Sequence, residues 1–146
     1  MSNFEIFKKE ILSKNASVLY EPFNGEVDYK TESFPFIIHK NKILLPNDKE
    51  SNPIYWADKC KKEFKNLNPY ILIPGTKFDL YGTRHGRGGG WYDRFLSELN
   101  KDWLRVGVAY KSQISKDKLT REEWDQPVDW VVVKNSLSWE VHKVEY

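Results

Sequence analysis

Tyr70-Ile71-Leu72-Ile73-Pro74-Gly75 is followed, after a short connection, by Gly82-Thr83-Arg84-His85-Gly86-Arg87-Gly88-Gly89-Gly90-Trp91-Tyr92-Asp93-Arg94-Phe95-Leu96. The first run is apolar, strand-sized and stopped by Pro-Gly, so it reads as a buried strand. Trp91 to Asn100 reads as a helix with Phe95, Leu96 and Leu99 on one face. Between them lie five of the chain's eight glycines. Residues without Cβ take positive φ and can turn successive backbone N–H groups toward one point. The helix that follows adds its own unpaired first N–H groups. Such a loop makes a socket for phosphate, and Arg84 and Arg87 supply the fork geometry that suits phosphate oxygens. Asp93 would repel a phosphate unless Mg2+ stood between them, an ion that favours one or two carboxylates plus phosphate oxygens. The stretch is no Walker A loop, and G-x-G-x-x-G would need a glycine where Trp91 stands. A plain surface turn and an Arg-Gly RNA tract are the other readings; the tract needs repetition, and one copy is present.

Working outward, apolar residues at 4, 7, 11 and 12 predict an amphipathic helix over 4–14. Val18–Tyr20 and Ile43–Leu45 read as strands. Asn24-Gly25-Glu26-Val27-Asp28 carries turn chemistry, and Pro35 can open a short helix over 36–40. A polar loop covers 47–53, and Trp56, Cys60, Phe64 and Leu67 predict a helix over 56–67. Val106–Tyr110 and Trp130–Val133 are strands, Thr120–Trp124 a short helix with acids in its first turn, and the alternating tail from Ser136 to Tyr146 an edge strand. Strands alternate with helices, and near-continuous apolar strands require a sheet covered on both faces. The expectation is an α/β fold in one domain, 1–146, with neither repeats nor a linker.

Net charge is +2, from 23 basic and 21 acidic side chains, which argues against nucleic-acid binding through bulk charge and leaves room for a small anionic ligand. No apolar stretch approaches the roughly 20 residues that cross a bilayer, and the first residues lack the pattern of a secretory signal. Cys60 stands alone, so no internal disulfide can form; it reads as a packing residue, and the chain as cytoplasmic. His39, His85 and His142 have no metal-ligand spacing, which argues against zinc, and His85 reads as solvent-exposed. Trp56 or Trp91 could stack on a flat heteroaromatic ring.

Taken whole, the run from Ile73-Pro74-Gly75 through Phe78-Asp79, Gly82, Arg84 and Gly86–Gly90 to Tyr92-Asp93-Arg94-Phe95-Leu96 resembles the signature of the 5-formyltetrahydrofolate cyclo-ligases, also called methenyltetrahydrofolate synthetases. Val106–Tyr110 with Gln113, Asp125-Gln126-Pro127-Val128-Asp129, Gly25-Glu26-Val27-Asp28 and Ile43–Pro46 resemble further family segments. The resemblance implies a Rossmann-like, three-layer α/β sandwich with a mostly parallel sheet (NagB/RpiA/CoA transferase-like). It implies an ATP-dependent closure of 5-formyltetrahydrofolate to 5,10-methenyltetrahydrofolate, releasing ADP and phosphate, within one-carbon metabolism. By resemblance Arg84, Arg87 and Tyr92 are catalytic, and Arg84, Gly86, Arg87, Gly88, Gly89, Gly90, Trp91, Tyr92 and Asp93 hold ATP. Asp93 and Asp125 hold Mg2+, and Glu26 bonds the folate's pterin. The partner would be this small molecule, with no nucleic acid or membrane, and the protein a monomer. Family members usually begin with a longer helical region whose Lys and Arg help hold ATP; here 17 residues precede Val18, and 47–69 is short. Trp91 replaces a usual tyrosine and His85 a usual aliphatic residue. The alternative is a relative that binds folate or nucleotide without turnover.

Overall fold

The first buried group after the N-terminus is Phe7, on helix α1 (Asn3–Leu12), which Ser2 caps by accepting from the Glu5 amide. Strand β1 (Ala16–Tyr20) follows, and β2 (Lys42–Leu45) after a long crossover. Helix α2 (Pro53–Glu63), strand β3 (Pro69–Ile73) and a ribbon of β4 (Lys77–Phe78) with β5 (Arg84–His85) come next. Helix α3 (Trp91–Ser97), strand β6 (Leu104–Tyr110), a 3-10 turn at Lys111–Gln113, β7 (Trp130–Lys134) and β8 (Trp139–Lys143) complete the chain. This computed structural model describes residues 1–48 and 50–145; Lys49, in the polar loop, and Tyr146, at the end of the tail, lie outside them.

The main sheet runs β2-β1-β3-β6-β7-β8, and β8 alone pairs antiparallel, as the edge strand expected of the tail. Alternation along each strand divides the core. Ile71, Ile73, Val131 and Val133 face α2 and α3, whose Ala57, Cys60, Phe95 and Leu96 close that side. Tyr70, Leu72, Val106, Val108, Trp130 and Val132 face α1 and the β1–β2 crossover. These are the three layers of an α/β sandwich with a mostly parallel sheet. No helix among the described residues is long and apolar enough to cross a membrane. Cys60 is fully buried in the core, its thiol pushed up to about 12 by burial.

A parallel pair usually takes a helix as its crossover. Residues 21–41 instead run without helix or strand, and the helix expected after Pro35 is absent. Aromatic side chains explain both. Tyr29, Phe34 and Phe36 pack edge-on from one ring to the next and onto Phe7 of α1. Tyrosine hydroxyls then take the crossover's carbonyls. Tyr20 donates to Val27 at 2.6 Å and Tyr70 to Ile37 at 2.7 Å, so the oxygens a helix would use are committed elsewhere.

Helix α2 begins three residues before the predicted start, because Asn52 caps the Ile54 and Tyr55 amides and Pro53 fits the first turn. It ends at Glu63, and Phe64 continues its buried face beyond the helix. Helix α3 stops at Ser97 rather than Asn100. Over Thr120–Trp124 there is a turn and no helix. The Asp125 carboxylate accepts from the Glu122 amide, and Arg121 reaches back to Thr83 and Tyr81. Those side-chain bonds fix the segment in a shape a helix could not keep.

The ribbon is locked to the sheet by one ring. A Cβ on Gly107 would stand 2.7 Å from Phe78 Cε1, and one on Gly75 2.9 Å from Phe78 Cζ. The two glycines thus leave a slot for the Phe78 ring. Gly107→Ala should therefore lower stability by about 1–3 kcal/mol in urea unfolding. Adding Phe78→Leu should recover part of that loss, because the clash is with that ring.

Candidate active site

The nine-residue glycine stretch divides in two. Gly82 (φ +99°) turns the β4–β5 hairpin, and Arg84 and His85 belong to β5, so only Gly86–Gly90 is loop. Thr76 anchors the loop's start, donating its amide to the His85 carbonyl at 2.8 Å and its hydroxyl toward the carbonyls of His85 and Gly86. Gly88 (φ +97°) and Gly90 (φ +67°) hold left-handed backbone that side chains disfavour. Space does not require them, since an added Cβ at either meets nothing within 4 Å. The left-handed turns set the direction of the amides. Among the described residues, the N–H groups from Gly88 through Asp93 meet no protein acceptor, and the chain's next amide, that of Arg94, closes the first helical bond to Gly90.

Arg84 therefore points inward from a strand. It is 7% exposed, its Nε donates to the Pro74 carbonyl at 2.8 Å, and its guanidinium lies 5.2 Å from the Tyr92 ring centre. Burial pulls its pKa down, while Asp93, Tyr92, Glu26 and Asp125 favour the charged form. Gly86 is what lets the guanidinium in: a Cβ there would stand 2.6 Å from Arg84 Nη2. Arg87 lies 3.9 Å from the Phe23 ring centre, and its Nη2 donates to the Asn47 carbonyl at 2.9 Å, tying the loop to the ends of β1 and β2.

Asp93, in the first turn of α3, accepts from the Gln126 amide at 2.9 Å. Burial pushes its carboxyl up, the Gln126 amide and Arg84 oppose this, and Asp125, within hydrogen-bonding reach, pushes it up further. Asp125 is placed by the 115–126 segment. There the buried Asp79 carboxylate accepts from the amides of Tyr81, Thr83 and Leu119 at 2.9, 3.0 and 2.8 Å. Arg105, from inside β6, donates to Gln126 Oε1 and to the Leu96 carbonyl. Two adjoining carboxyls beside unpartnered amides are a donor set that could hold a hard cation together with phosphate oxygens. Among the described residues, no group of three or more His, Cys, Asp or Glu could hold a metal ion.

Glu26 closes the turn that carries it. Its Oε1 accepts from the Phe23 amide at 2.8 Å. Gln113 braces the turn, donating to the carbonyls of Gly25 and Gly75 and accepting from the Tyr110 amide. Glu26, Arg84, the loop, Tyr92, Asp93 and Asp125 all line one cavity of about 280 Å³. The structure thus brings together every residue singled out for the site. Trp91 lines the cavity but stacks on Phe95 and donates its Nε1–H to Ser51 at 2.8 Å. Trp56 packs against the core under Lys59. His85 is half-buried rather than exposed, its Nε2 3.0 Å from the Thr120 carbonyl. Sequence reasoning missed Asp48 and Trp124, which also line the cavity, and the supporting Arg105. The signal for Arg105 was a charge inside an apolar strand; Asp48 and Trp124 gave none.

A sequence profile described as the 5-formyltetrahydrofolate cyclo-ligase family matches residues 40–134. The 5-formyltetrahydrofolate cyclo-ligase of Haemophilus influenzae is 41% identical, over 79% of this chain and 73% of that one. Its namesake from Mycoplasma pneumoniae is 30% identical, over 78% and 70%. The 5,10-methenyltetrahydrofolate synthetase of Aquifex aeolicus superposes with a TM-score of 0.57 at 28% identity, over 100% of this chain and 86% of that one. The M. pneumoniae synthetase structure, at 20% identity and a TM-score of 0.54 over 90% and 82%, shares the fold.

Burial also pushes the Glu26 carboxyl up, while the Phe23 amide, Arg87 and Arg84 oppose it. A raised carboxyl binds its proton more tightly folded than unfolded, so ionising it lowers stability as pH rises through the window just above the ordinary glutamate range. Glu26→Gln keeps an oxygen for the Phe23 amide and removes that burden. Its melting temperature should exceed the wild type's at pH 7, and the gap should narrow as the pH falls toward 4 in a thermal-melt series.

Proposed function

The chain belongs to the 5-formyltetrahydrofolate cyclo-ligase family, and from that premise we propose that it is an enzyme closing 5-formyltetrahydrofolate to 5,10-methenyltetrahydrofolate at the expense of ATP. The observation that carries this reading is the convergence of unpartnered loop amides, two arginines and two adjoining carboxyls on one cavity that also contains Glu26.

The chemistry needs such a place. A formyl oxygen on nitrogen is a poor leaving group. It attacks the γ-phosphorus of ATP, and ADP leaves. N10 of the folate then attacks the activated formyl carbon and gives up its proton, and the carbon–oxygen bond breaks to release phosphate. Phosphoryl transfer asks for in-line placement and charge neutralisation rather than a protein nucleophile. The Gly88–Gly90 amides, with those of Trp91 and Tyr92, bind the phosphates; Gly86 makes room for Arg84, and Arg84 and Arg87 balance the charge on the transferring group. Burial pushes the Tyr92 hydroxyl up, so it enters as a hydrogen-bond donor and not as a base. Asp93 and Asp125 hold Mg2+, which when bound neutralises phosphate oxygens. Glu26 accepts hydrogen bonds from the N–H edge of the pterin. In this reading residues 1–146 act as one catalytic domain, a cytoplasmic monomer with a small-molecule substrate and neither nucleic acid nor membrane as partner.

Mixing the protein with ATP, Mg2+ and 5-formyltetrahydrofolate should raise the absorbance of the methenyl product above a protein-free control. Arg87→Ala and Asp93→Ala should each lower kcat/KM by about 100-fold or more, with an unchanged circular dichroism spectrum. Thermal stabilisation by ligand without ADP release, at high protein concentration, would identify a binding relative without turnover.

A further inference from the structure

The two tryptophans that the sequence offered as stacking surfaces are both engaged, Trp91 on Phe95 and Ser51, Trp56 on the core and Lys59. Trp124 is not. The residue is 65% exposed, yet the turn beneath it is fixed by the Asp125 amide bonding to the Glu122 carbonyl, the Glu122 amide bonding back to the Asp125 carboxylate, and Arg121 gripping Thr83 and Tyr81. A rigid turn holds a large apolar ring in water.

That ring borders a second compartment of about 410 Å³, a size that accepts small molecules. It shares Gly88–Gly90, Asp93 and Trp124 with the first cavity and adds Ser97 of α3 and Gln126; Arg94 lines both. Glu26, Arg84 and Asp48 line only the first. The compartment is thus an extension reached past the phosphate loop, away from the Glu26 turn.

In-line phosphoryl transfer places the attacking and departing oxygens on opposite sides of the phosphorus. With the acceptor at Glu26, the departing nucleoside diphosphate must extend past the loop toward this compartment. We infer that Trp124 and Arg94 form the subsite for the heteroaromatic base of the nucleotide, the indole stacking on the base and the guanidinium offering a second planar, cationic surface. This rests on the nucleotide reading above and assigns where its base lies.

Calorimetric titration of the full chain with Mg2+ and either the β,γ-imido analogue of ATP or inorganic tripolyphosphate separates base from phosphates. Trp124→Ala should weaken the analogue by roughly fivefold or more and leave tripolyphosphate unchanged, and Trp124→Phe should retain most of the affinity. Equal analogue affinity in wild type and Trp124→Ala would overturn the assignment. So would parallel loss of analogue and tripolyphosphate, which would mean that Trp124 acts through the loop. A Trp124→Ala effect on 5-formyltetrahydrofolate with none on the analogue would give the ring to the pterin instead. Wild-type protein that binds neither analogue nor tripolyphosphate would remove the nucleotide reading itself, a result distinct from the others. Thermal melts check that both variants are folded.

Discussion

Arg84 carries a permanent charge on a two-residue strand, with its guanidinium out of water, and burying an ion costs several kcal/mol unless its surroundings compensate. The compensation comes from a carbonyl of the β3 end, the face of Tyr92, and carboxyls reached from three separate segments: Glu26 in the β1–β2 crossover, Asp93 on α3, and Asp125 before β7. Each of those segments lies at the same end of the parallel sheet, beyond the carboxyl ends of its strands, where open α/β sheets gather ligand-binding loops. One buried cation therefore ties together the three acids of the site. It also explains Gly86, whose missing side chain is the space the guanidinium occupies.

The supporting groups obey the same economy of burial. Asp79 accepts from amides in two loops that are distant in sequence, and so fixes the β4–β5 turn and the segment leading to Asp125 with one carboxylate. Gln113 does likewise for the Glu26 turn and the end of β3, and Gln126 for α3 and β6 through Asp93 and Arg105. None of these groups needs to touch a ligand. Their work is to keep loops that would otherwise fray at the angles the cavity requires, which is where binding residues gain their precision.

Much of this was legible from residue types. Apolar runs such as Ile71–Ile73 and Val131–Val133 are long enough and dry enough to announce strands covered on both faces, and the glycine cluster before α3 announced a backbone-lined socket. What failed to show was everything decided by side chains distant in sequence. Pro35 is a sound helix opener by local rules, but the Tyr70 hydroxyl claims the Ile37 carbonyl. Thr120–Trp124 has the acids of a first helical turn, but Arg121 and Asp125 prefer bonds outside the helix. Arg84 read as a loop residue because a two-residue strand leaves no periodicity to detect. Trp124 read only as the end of a short helix, since one exposed aromatic in a polar segment is ordinary until a cavity is seen beside it.

The balance of charge bears on how the site would load. With no ligand, Arg84, Arg87 and Arg94 stand against Glu26, Asp48, Asp93 and Asp125, so the positive groups are already matched, and burial pushes the Glu26 and Asp93 carboxyls up. A polyphosphate entering alone would find amides to bond but also two carboxyls at close range, and their charges would repel it. A divalent cation arriving with it would relieve that: Asp93 and Asp125 would hold it, and its charge would neutralise the phosphate oxygens. In the proposed reading, then, nucleotide and cation bind as a pair.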